Sequence, residues 1–442
     1  MFIKTKAVSK QNIYSRAAVD TPMPPLTGKE LVVFSGKHDG RPAQFGLTED
    51  HLNKHVLLVG STGCGKTTTF LQLVNQLQKR MTADDVMIIF DSKGDYAKSV
   101  VTKGQRLYLA NSKPYRQQSE KWNIFREILM DGKDDKQIVA NAQEIGRILF
   151  QERERRTNNP FFPNAARDLL AAIIIFLIRT GYQNDVAFRQ QHFNNEALEK
   201  LLSSKTGDDF VNMLSFDSDL VAVASYISGG GEQAQGVLSE MHSIVREVLT
   251  GVFAEDGSFS VRDFVRNKGG KTLFIEYDLS MGSSLAPVYR LLIDLALKEA
   301  LGRSSPQGNV YLICDEFKLL PYLQHIDDGV NFGRSLGVKV IAGLQSIEQL
   351  FEVYQQSRGR NIAAGFSTII AYHSTDPSTI EYLAKAYGHY ETMEEYRKPD
   401  GQTEPYRRRE SVISDWDLSH LDVGEAFVCR AFGEPFSFKF DK

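Results

Sequence analysis

The chain has 442 residues, of which 42% are hydrophobic and 24% charged, and this composition is typical of a soluble globular protein of about two to four structural units. Its 34 glycines and 14 prolines are too few for a collagen-like or disordered chain, and its net charge of −3 excludes a polycation, so any nucleic-acid contact must be local. The three cysteines, Cys64, Cys314 and Cys429, form no CxxC pair and favour a reducing compartment.

The N-terminal segment does not resemble a targeting signal. MFIKTKAVSKQNIYSR has no apolar core, and we expect residues 1–30 to be an N-terminal extension without a transmembrane helix. The most apolar run, residues 169–178, is too short to cross about 30 Å of hydrocarbon and predicts a buried helix. Both observations predict a cytoplasmic protein with no membrane-spanning segment of its own.

The first apolar segments predict a hairpin followed by a strand–helix–strand unit. Residues 31–34 and 43–47 are predicted strands joined at the turn dipeptide Asp39-Gly40. Residues 55–59, HVLLV, predict a buried strand that leads into an amphipathic helix, and residues 86–90 predict a second buried strand. Strand, helix and buried strand in succession predict a parallel α/β sheet.

Helical periodicity replaces the strand signals from about residue 121 to about residue 262. The clearest helical segments are residues 137–150, 165–179 and 232–250. Strand signals then return at residues 272–277, 310–314, 338–342, 368–372 and 426–430. We therefore predict an α/β domain in two parts, residues 31–125 and 266–442, interrupted by an all-helical domain at residues 126–265. Residues 397–410 show no apolar periodicity and are predicted to form a mobile loop.

The sequence GSTGCGKT at residues 60–67 fits the P-loop pattern G-x-x-x-x-G-K-[ST] at every fixed position. Glycines let backbone N–H groups surround phosphate oxygens, and the following helix directs its N-terminal dipole at the same anion. Lys66 is expected to reach the β- and γ-phosphates, and the Thr67 hydroxyl to ligate Mg²⁺. The pattern predicts ATP and Mg²⁺ as cofactors, bound by Gly60, Ser61, Thr62, Gly63, Cys64, Gly65, Lys66, Thr67 and Thr68.

An acidic pair follows the predicted strand at residues 310–314. Asp315 is expected to hold the Mg²⁺ shell, and Glu316 to orient or deprotonate the attacking water. The alternative is an acidic pair that merely ends a buried strand.

Three further features each have two open interpretations. The segment DSKGD at residues 91–95 either lines the ligand edge of the sheet or forms a plain turn. Gln345 either senses the γ-phosphate beyond a central strand or simply begins a helix. Arg334 is either an arginine finger that enters a neighbouring subunit or a surface arginine.

In order and spacing, these motifs resemble the TraG/TraD family of type IV coupling proteins, the DNA-pumping ATPases of conjugation and type IV secretion. The resemblance runs roughly from Leu31 to Phe438 and includes KHVLLVGSTGCGKTTT, FDSKGDY, WNIF, LICDEF, GRSLGVKVIAGLQSIEQL and HLDVGEAFV. The P-loop, the Asp-Glu pair and the downstream glutamine are also similar to the HerA/FtsK superfamily of hexameric translocases.

The resemblance implies a RecA-like P-loop NTPase core interrupted by an all-alpha domain. It also implies a homo-oligomeric ring, usually a hexamer, with nucleotide between subunits and DNA in the central channel. Catalytic roles are implied for Lys66, Glu316, Gln345 and Arg334, and magnesium roles for Thr67 and Asp315.

The function predicted from this resemblance is an ATP-hydrolysing motor that translocates or recruits single- or double-stranded DNA. A relaxase, a secretion channel or a separate membrane anchor would be its partner. Family members usually carry two N-terminal transmembrane helices, whereas about thirty polar residues precede the first strand here. We therefore expect a cytoplasmic protein, or one attached to the inner membrane through a partner. The alternatives are a HerA-like translocase that works with a nuclease or another effector, and a receptor for protein substrates.

Overall fold

The computed structural model describes residues 10–12, 23–303, 307–397, 402–431 and 433–441. The strands are β1 (Lys10–Asn12), β2 (Glu30–His38), β3 (Arg41–Thr48), β4 (Val56–Val59), β5 (Val86–Asp91), β6 (Arg106–Leu109), β7 (Thr272–Glu276), β8 (Val310–Cys314), β9 (Val338–Leu344), β10 (Thr368–Tyr372), β11 (His389–Arg397), β12 (Thr403–Ser411), β13 (Glu425–Cys429) and β14 (Phe436–Phe440).

The α-helices are α1 (Glu49–Asn53), α2 (Lys66–Arg80), α3 (Asp95–Ser99), α4 (Lys113–Arg116), α5 (Ile124–Ile128), α6 (Asp135–Arg156), α7 (Phe161–Gln183), α8 (Val186–His192), α9 (Asn195–Ser204), α10 (Gly207–Leu214), α11 (Val221–Ala224), α12 (Glu232–Val248), α13 (Val261–Asn267), α14 (Gly282–Leu301), α15 (Ile326–Phe332), α16 (Glu348–Gly365), α17 (Pro377–Tyr387) and α18 (Asp415–Ser419). Short 3-10 helices lie at Leu129–Asp131, Gly251–Phe253, Phe317–Leu319 and Gly333–Leu336.

The chain divides into two compact units. The first contains Met1–Arg80, Cys314–Lys318 and Lys339–Lys442, and the second contains Met81–Ile313 and Leu319–Val338. The candidate site residues of the P-loop, the acidic pair and Gln345 all fall in the first unit, whereas Arg334 falls in the second.

In the first unit, seven strands lie side by side in the order β3-β2-β14-β13-β10-β4-β9. β4 pairs in parallel with β10 and with β9, and it is buried along its whole length. Strands covered on both faces need apolar residues at every position, which explains the continuous run VLLV. This arrangement places the end of β4, where the P-loop begins, between its parallel neighbours β10 and β9.

In the second unit, four strands lie in the order β8-β5-β7-β6, and β7 pairs in parallel with both β5 and β6. Every element between residues 126 and 265 is helical, and α7 packs against α6 and α12. The observed elements confirm the predicted α/β class with a mainly parallel core, while the boundaries at residues 126 and 265 stay predictions.

Among the described residues, one helix is long and apolar enough to cross a membrane by its length and composition. This helix is α7, whose 23 residues extend well beyond the ten-residue run recognised in the sequence. In its most apolar window, 67% is buried within the protein, as the prediction of a buried helix requires.

The structure confirms one local prediction and corrects another. Asp39 and Gly40 have φ angles of 50° and 75°, the left-handed values that a tight two-residue hairpin turn requires between β2 and β3. The predicted loop at residues 397–410 is wrong for its second half, because β12 pairs with β11 from His389↔Ser411 to Arg397↔Thr403. Backbone hydrogen bonds between the two strands form this hairpin, so its sequence needs no apolar periodicity. Residues 398–401, also part of the predicted loop, lie outside the described residues.

Candidate nucleotide-binding site

The P-loop connects β4 to α2 through three glycines in backbone conformations that other residues rarely adopt. Gly60, Gly63 and Gly65 have φ angles of 153°, 81° and 111°. A Cβ atom at Gly60 would lie 2.6 Å from the Cβ of Tyr372, so the loop and the end of β10 approach too closely for any side chain at this position.

Backbone hydrogen bonds fix the loop from both sides. Gly60 N donates to Leu344 O at 3.1 Å, and Ser61 N donates to His373 O at 2.8 Å. Further along, Gly424 N donates to Cys64 O at 2.9 Å. Cys64 is buried within the loop.

Lys66 lies folded across the loop, where its Nζ donates to the carbonyl oxygens of Gly60 and Ser61, the latter at 2.9 Å. Thr67 is half-buried and Thr68 is exposed at the start of α2. Thr69 is buried and accepts a 2.5 Å hydrogen bond from the Tyr372 hydroxyl. The first turn of α2 is thus tied to β10 behind the loop.

The acidic pair follows β8 directly. Asp315 is 7% exposed, and its carbonyl oxygen would lie only 2.3 Å from a Cβ at Gly343. The glycine inside β9 therefore permits the close approach of this backbone to the acidic pair.

Glu316 is oriented by Gln345. The Gln345 side chain donates from Nε2 to Oε2 of Glu316 at 3.1 Å, and the Gln345 backbone N–H donates to Oε1 of Gln349 at 3.1 Å. The other Glu316 oxygen, Oε1, is buried and has no hydrogen-bond partner among the described residues. Because Leu344 anchors the P-loop, this pair lies one residue from a loop contact.

A cavity of about 380 Å³ adjoins the P-loop on the side of the C-terminal strands. Its lining includes Gly65, Thr68, Val423, Gly424 and Phe440. A Cβ at Gly65 would lie 3.2 Å from the Cα of Gly424, so two backbone segments meet here. Apolar walls next to a phosphate-binding loop suit the base and ribose of a nucleotide.

The donor atoms of the predicted magnesium ligands are of the kind that Mg²⁺ prefers. Thr67 and Asp315 offer one hydroxyl and one carboxylate, and Mg²⁺ prefers few protein oxygens together with water and phosphate oxygens. Among the residues that the structure describes, no three His, Cys, Asp or Glu side chains form a cluster able to hold a metal by themselves.

The segment at residues 91–95 forms a turn, the second of its two predicted interpretations. Asp91 is buried at the end of β5, where its carboxylate accepts the backbone N–H groups of Asp95 and Ala97 at 3.1 and 2.9 Å. Burial raises the pKa of Asp91, while these bonds act in the opposite direction. The carboxylate therefore stabilises the start of α3.

Arg334 lies on the 3-10 helix Gly333–Leu336 of the second unit, and its side chain is exposed. The buried Gly333 packs against Val338, where a Cβ would lie 2.8 Å from the Cβ of that valine. The backbone at Arg334 is thus held closely while its side chain is exposed.

Sequence reasoning missed three contributors to this site, Tyr372, Gly343 and Gly424. A lone glycine within the apolar run of β9 is a signal for close backbone approach and could have identified Gly343. Tyr372 and Gly424 lie about 300 residues or more from the P-loop in the chain, and no local pattern links them to it.

A glycine loop between a buried parallel strand and a helix, with an acidic pair and a polar residue at the ends of nearby strands, defines a P-loop nucleotide-binding protein of RecA-like fold. The sequence profile of the type IV secretion-system coupling protein DNA-binding domain matches residues 43–411, and the chain belongs to this family. The match confirms the family predicted from the motifs.

Individual relatives agree with this assignment. The coupling protein TraD of Escherichia coli strain K12 is 21% identical over 389 residues, which cover 87% of this chain and 50% of TraD. The chain thus spans about half the length of that relative. The unbound conjugative coupling protein TrwBdeltaN70 has a TM-score of 0.73 at 22% identity and covers 99% of this chain and 94% of its own. TrwB in complex with ADP and Mg²⁺ has a TM-score of 0.69 at 22% identity, with the same coverage.

Proposed function

We propose that the chain is an ATP-hydrolysing motor that moves or recruits DNA in conjugative transfer. The observation that carries the proposal is the hydrogen bond between Gln345 and Glu316, one residue from the P-loop contact of Leu344. A candidate general base, the group that orients it and a phosphate-binding loop thus lie close together. Membership of a coupling-protein DNA-binding family supports DNA as the substrate.

ATP would be bound through its phosphates. The glycine loop presents backbone N–H groups to them, and Lys66 would exchange the carbonyl oxygens of Gly60 and Ser61 for the β- and γ-phosphates. Mg²⁺ would neutralise phosphate charge, with Thr67 and Asp315 as its protein ligands. The ADP and Mg²⁺ complex of TrwB, which has the same fold, supports this choice of ligands.

Glu316 would act as the general base. Its partnerless Oε1 would accept a proton from water as the water oxygen bonds to the γ-phosphorus and the bond to the β–γ bridging oxygen breaks. Gln345 would hold Oε2 through this step and thereby limit rotation of the carboxylate.

Arg334 would complete the site of a neighbouring subunit. An exposed arginine on a closely held backbone is suited to stabilising charge on a phosphate that another subunit binds. A ring, most simply a hexamer, would also concentrate the few basic groups of a weakly acidic chain around one channel. This ring would be cytoplasmic, or peripheral at the inner membrane through a partner, and a relaxase, a secretion-channel protein or a separate membrane-anchor protein would be that partner.

ATP turnover and particle mass, measured together, test the proposal. We expect single- or double-stranded DNA to raise turnover of the assembled protein, and heparin, a polyanion without bases, to raise it less. Lys66→Ala gives the background rate. If neither single- nor double-stranded DNA changes ATP turnover, the alternative of a receptor for protein substrates is favoured. ATP turnover by a protein that stays a monomer would contradict the ring.

A further inference from the structure

We infer that Asp294 is a positioning residue for Arg334, because it holds the start of the short segment whose end carries that arginine. The inference rests on the proposed role of Arg334 in a neighbouring active site. It extends the machinery to α14, a helix that neither the P-loop pattern nor the acidic pair would identify.

Asp294 lies in the middle of α14 and is fully buried. Its two carboxylate oxygens accept separate backbone N–H groups, Gln324 N to Oδ2 and His325 N to Oδ1, each at 3.0 Å. An aspartate can accept both bonds, whereas an asparagine has only one acceptor oxygen and would place an NH₂ group against the other N–H. The site is therefore specific for a carboxylate.

The bonded residues stand at the beginning of α15. His325 is the N-cap of this helix, and its carbonyl accepts the first helical bond from Gly329 N at 2.9 Å. α15 has seven residues, about 10 Å of helix, and continues directly into the 3-10 helix with Arg334. A displacement at Asp294 is thus carried to Arg334 through one short helix.

The segment from α15 to Gly337 is closely packed at two further points. A Cβ at Gly329 would lie 3.3 Å from Cδ2 of Leu297, one turn of α14 beyond Asp294. Gly337, which follows the 3-10 helix, has a φ of 78° and packs against the Gly308 carbonyl. The Asp294 hydrogen bonds fix the other end of this segment, at the residues that precede Gly329.

Charged groups from two other elements face the same point. His325 Nε2 lies 3.2 Å from Oε1 of Glu144 on α6, whose second oxygen pairs with Lys298. Arg290 lies one turn before Asp294 on α14. Burial raises the pKa of Asp294 to about 6, and the two donor N–H groups and the charge of Arg290 offset part of the cost of burying this carboxylate.

Asp294→Asn tests the inference, since it preserves size and removes one acceptor. We expect kcat for ATP to fall at least about tenfold, with KM for ATP within about twofold, because the P-loop of the same subunit is untouched. Glu127→Gln is the matched control: Glu127 is also a buried carboxylate that accepts two backbone N–H groups, from Val261 and Arg262. It should leave kcat within about twofold.

ATP turnover by rings of two mixed variants distinguishes a positioning role of Asp294 from a merely structural one. In a random 1:1 ring of Lys66→Ala and Arg334→Ala subunits, about a quarter of the interfaces join an intact P-loop to an intact arginine, so turnover should return to about a quarter of wild type. Asp294→Asn mixed with Lys66→Ala should recover equally, and mixed with Arg334→Ala it should not recover.

The outcomes separate the two ideas. If Lys66→Ala and Arg334→Ala do not complement each other, the role of Arg334 between subunits fails and the inference fails with it. If they do, but Asp294→Asn is not rescued by Lys66→Ala, only the positioning role is overturned. Should Asp294→Asn not fold, Gly329→Val displaces α15 from Leu297 without altering the buried charge, and it must show the same pattern of rescue.

Discussion

Gln345 Nε2 donates to Oε2 of Glu316 at 3.1 Å, and this single bond makes the two oxygens of the glutamate inequivalent. Oε1 is left buried and without a hydrogen-bond partner among the described residues. A buried carboxylate oxygen without a donor is costly to a fold unless it has a use. Under the proposed function, that use is the acceptance of a proton from the attacking water.

Glu316→Gln should therefore abolish most turnover while leaving nucleotide binding intact. The amide keeps the size of the side chain and loses the base, and we expect kcat to fall about 10²-fold or more. A fluorescent ATP analogue would report binding, which should match that of the wild type. Hydrolysis at the wild-type rate would assign the base to another carboxylate.

Gln345→Ala should lower kcat by about tenfold, less than Glu316→Gln, because it removes the orienting bond but keeps the carboxylate. The affinity for ATP should change little. Gln349→Ala is the control, since Gln349 touches the Gln345 backbone but not Glu316. Equal losses in the two variants would show that the side-chain bond to Glu316 is not what matters.

From the sequence alone, the candidate residues of the site could be predicted, but most of the contacts between them could not. Lys66 and Thr67 belong to a local pattern whose spacing fixes their geometry, so the P-loop could be predicted. Glu316 and Gln345 were each predicted, but their hydrogen bond depends on which strands become neighbours. Gly424, more than 350 residues from Cys64, reaches the loop only through the C-terminal strands.

The strands likewise separate into those with a local sequence signal, which were predicted, and those that depend on tertiary pairing, which were not. β8 and β10 were predicted at their observed bounds because continuous apolar runs are a local signal. β12 was missed because its sequence is polar and charged, and its strand conformation comes from backbone pairing with β11. Tertiary pairing of this kind leaves no periodicity in the sequence.

Gly343→Ala should destabilise the first unit and weaken the response to magnesium. The new Cβ would lie 2.3 Å from the carbonyl oxygen of Asp315, in a buried strand with no room to yield. Overpacking of this kind costs about 1–3 kcal/mol and would displace the predicted magnesium ligand. Thermal unfolding and the Mg²⁺ concentration for half-maximal ATP turnover would be measured against Gly433→Ala, whose Cβ meets nothing within 4 Å. Identical behaviour of the two variants would contradict the close-approach role of Gly343.

Lys268→Met should raise the thermal stability of the protein at pH 7, and the gain should vanish in alkali. Lys268 is 6% exposed, and its Nζ is buried without a hydrogen-bond partner among the described residues. Burial, and then the charge of Arg303, lower its pKa to about 8 from the ordinary value of 10.5. Between these two values the unfolded chain binds more protons than the folded chain, so the stability of the wild type rises with pH in this window and the penalty is complete below pH 8.

Methionine keeps the length of the lysine side chain without a charge, so its variant lacks this dependence. We expect its melting temperature to exceed that of the wild type by about 2–5 °C at pH 7 and the difference to shrink as the pH rises from 8 towards 10. Lys271→Met, a partly exposed lysine in the same turn, is the matched control and should show no such trend. A difference between Lys268→Met and wild type that is constant from pH 7 to 10 would show that the buried ammonium is not the source of the gain, which would then belong to packing alone.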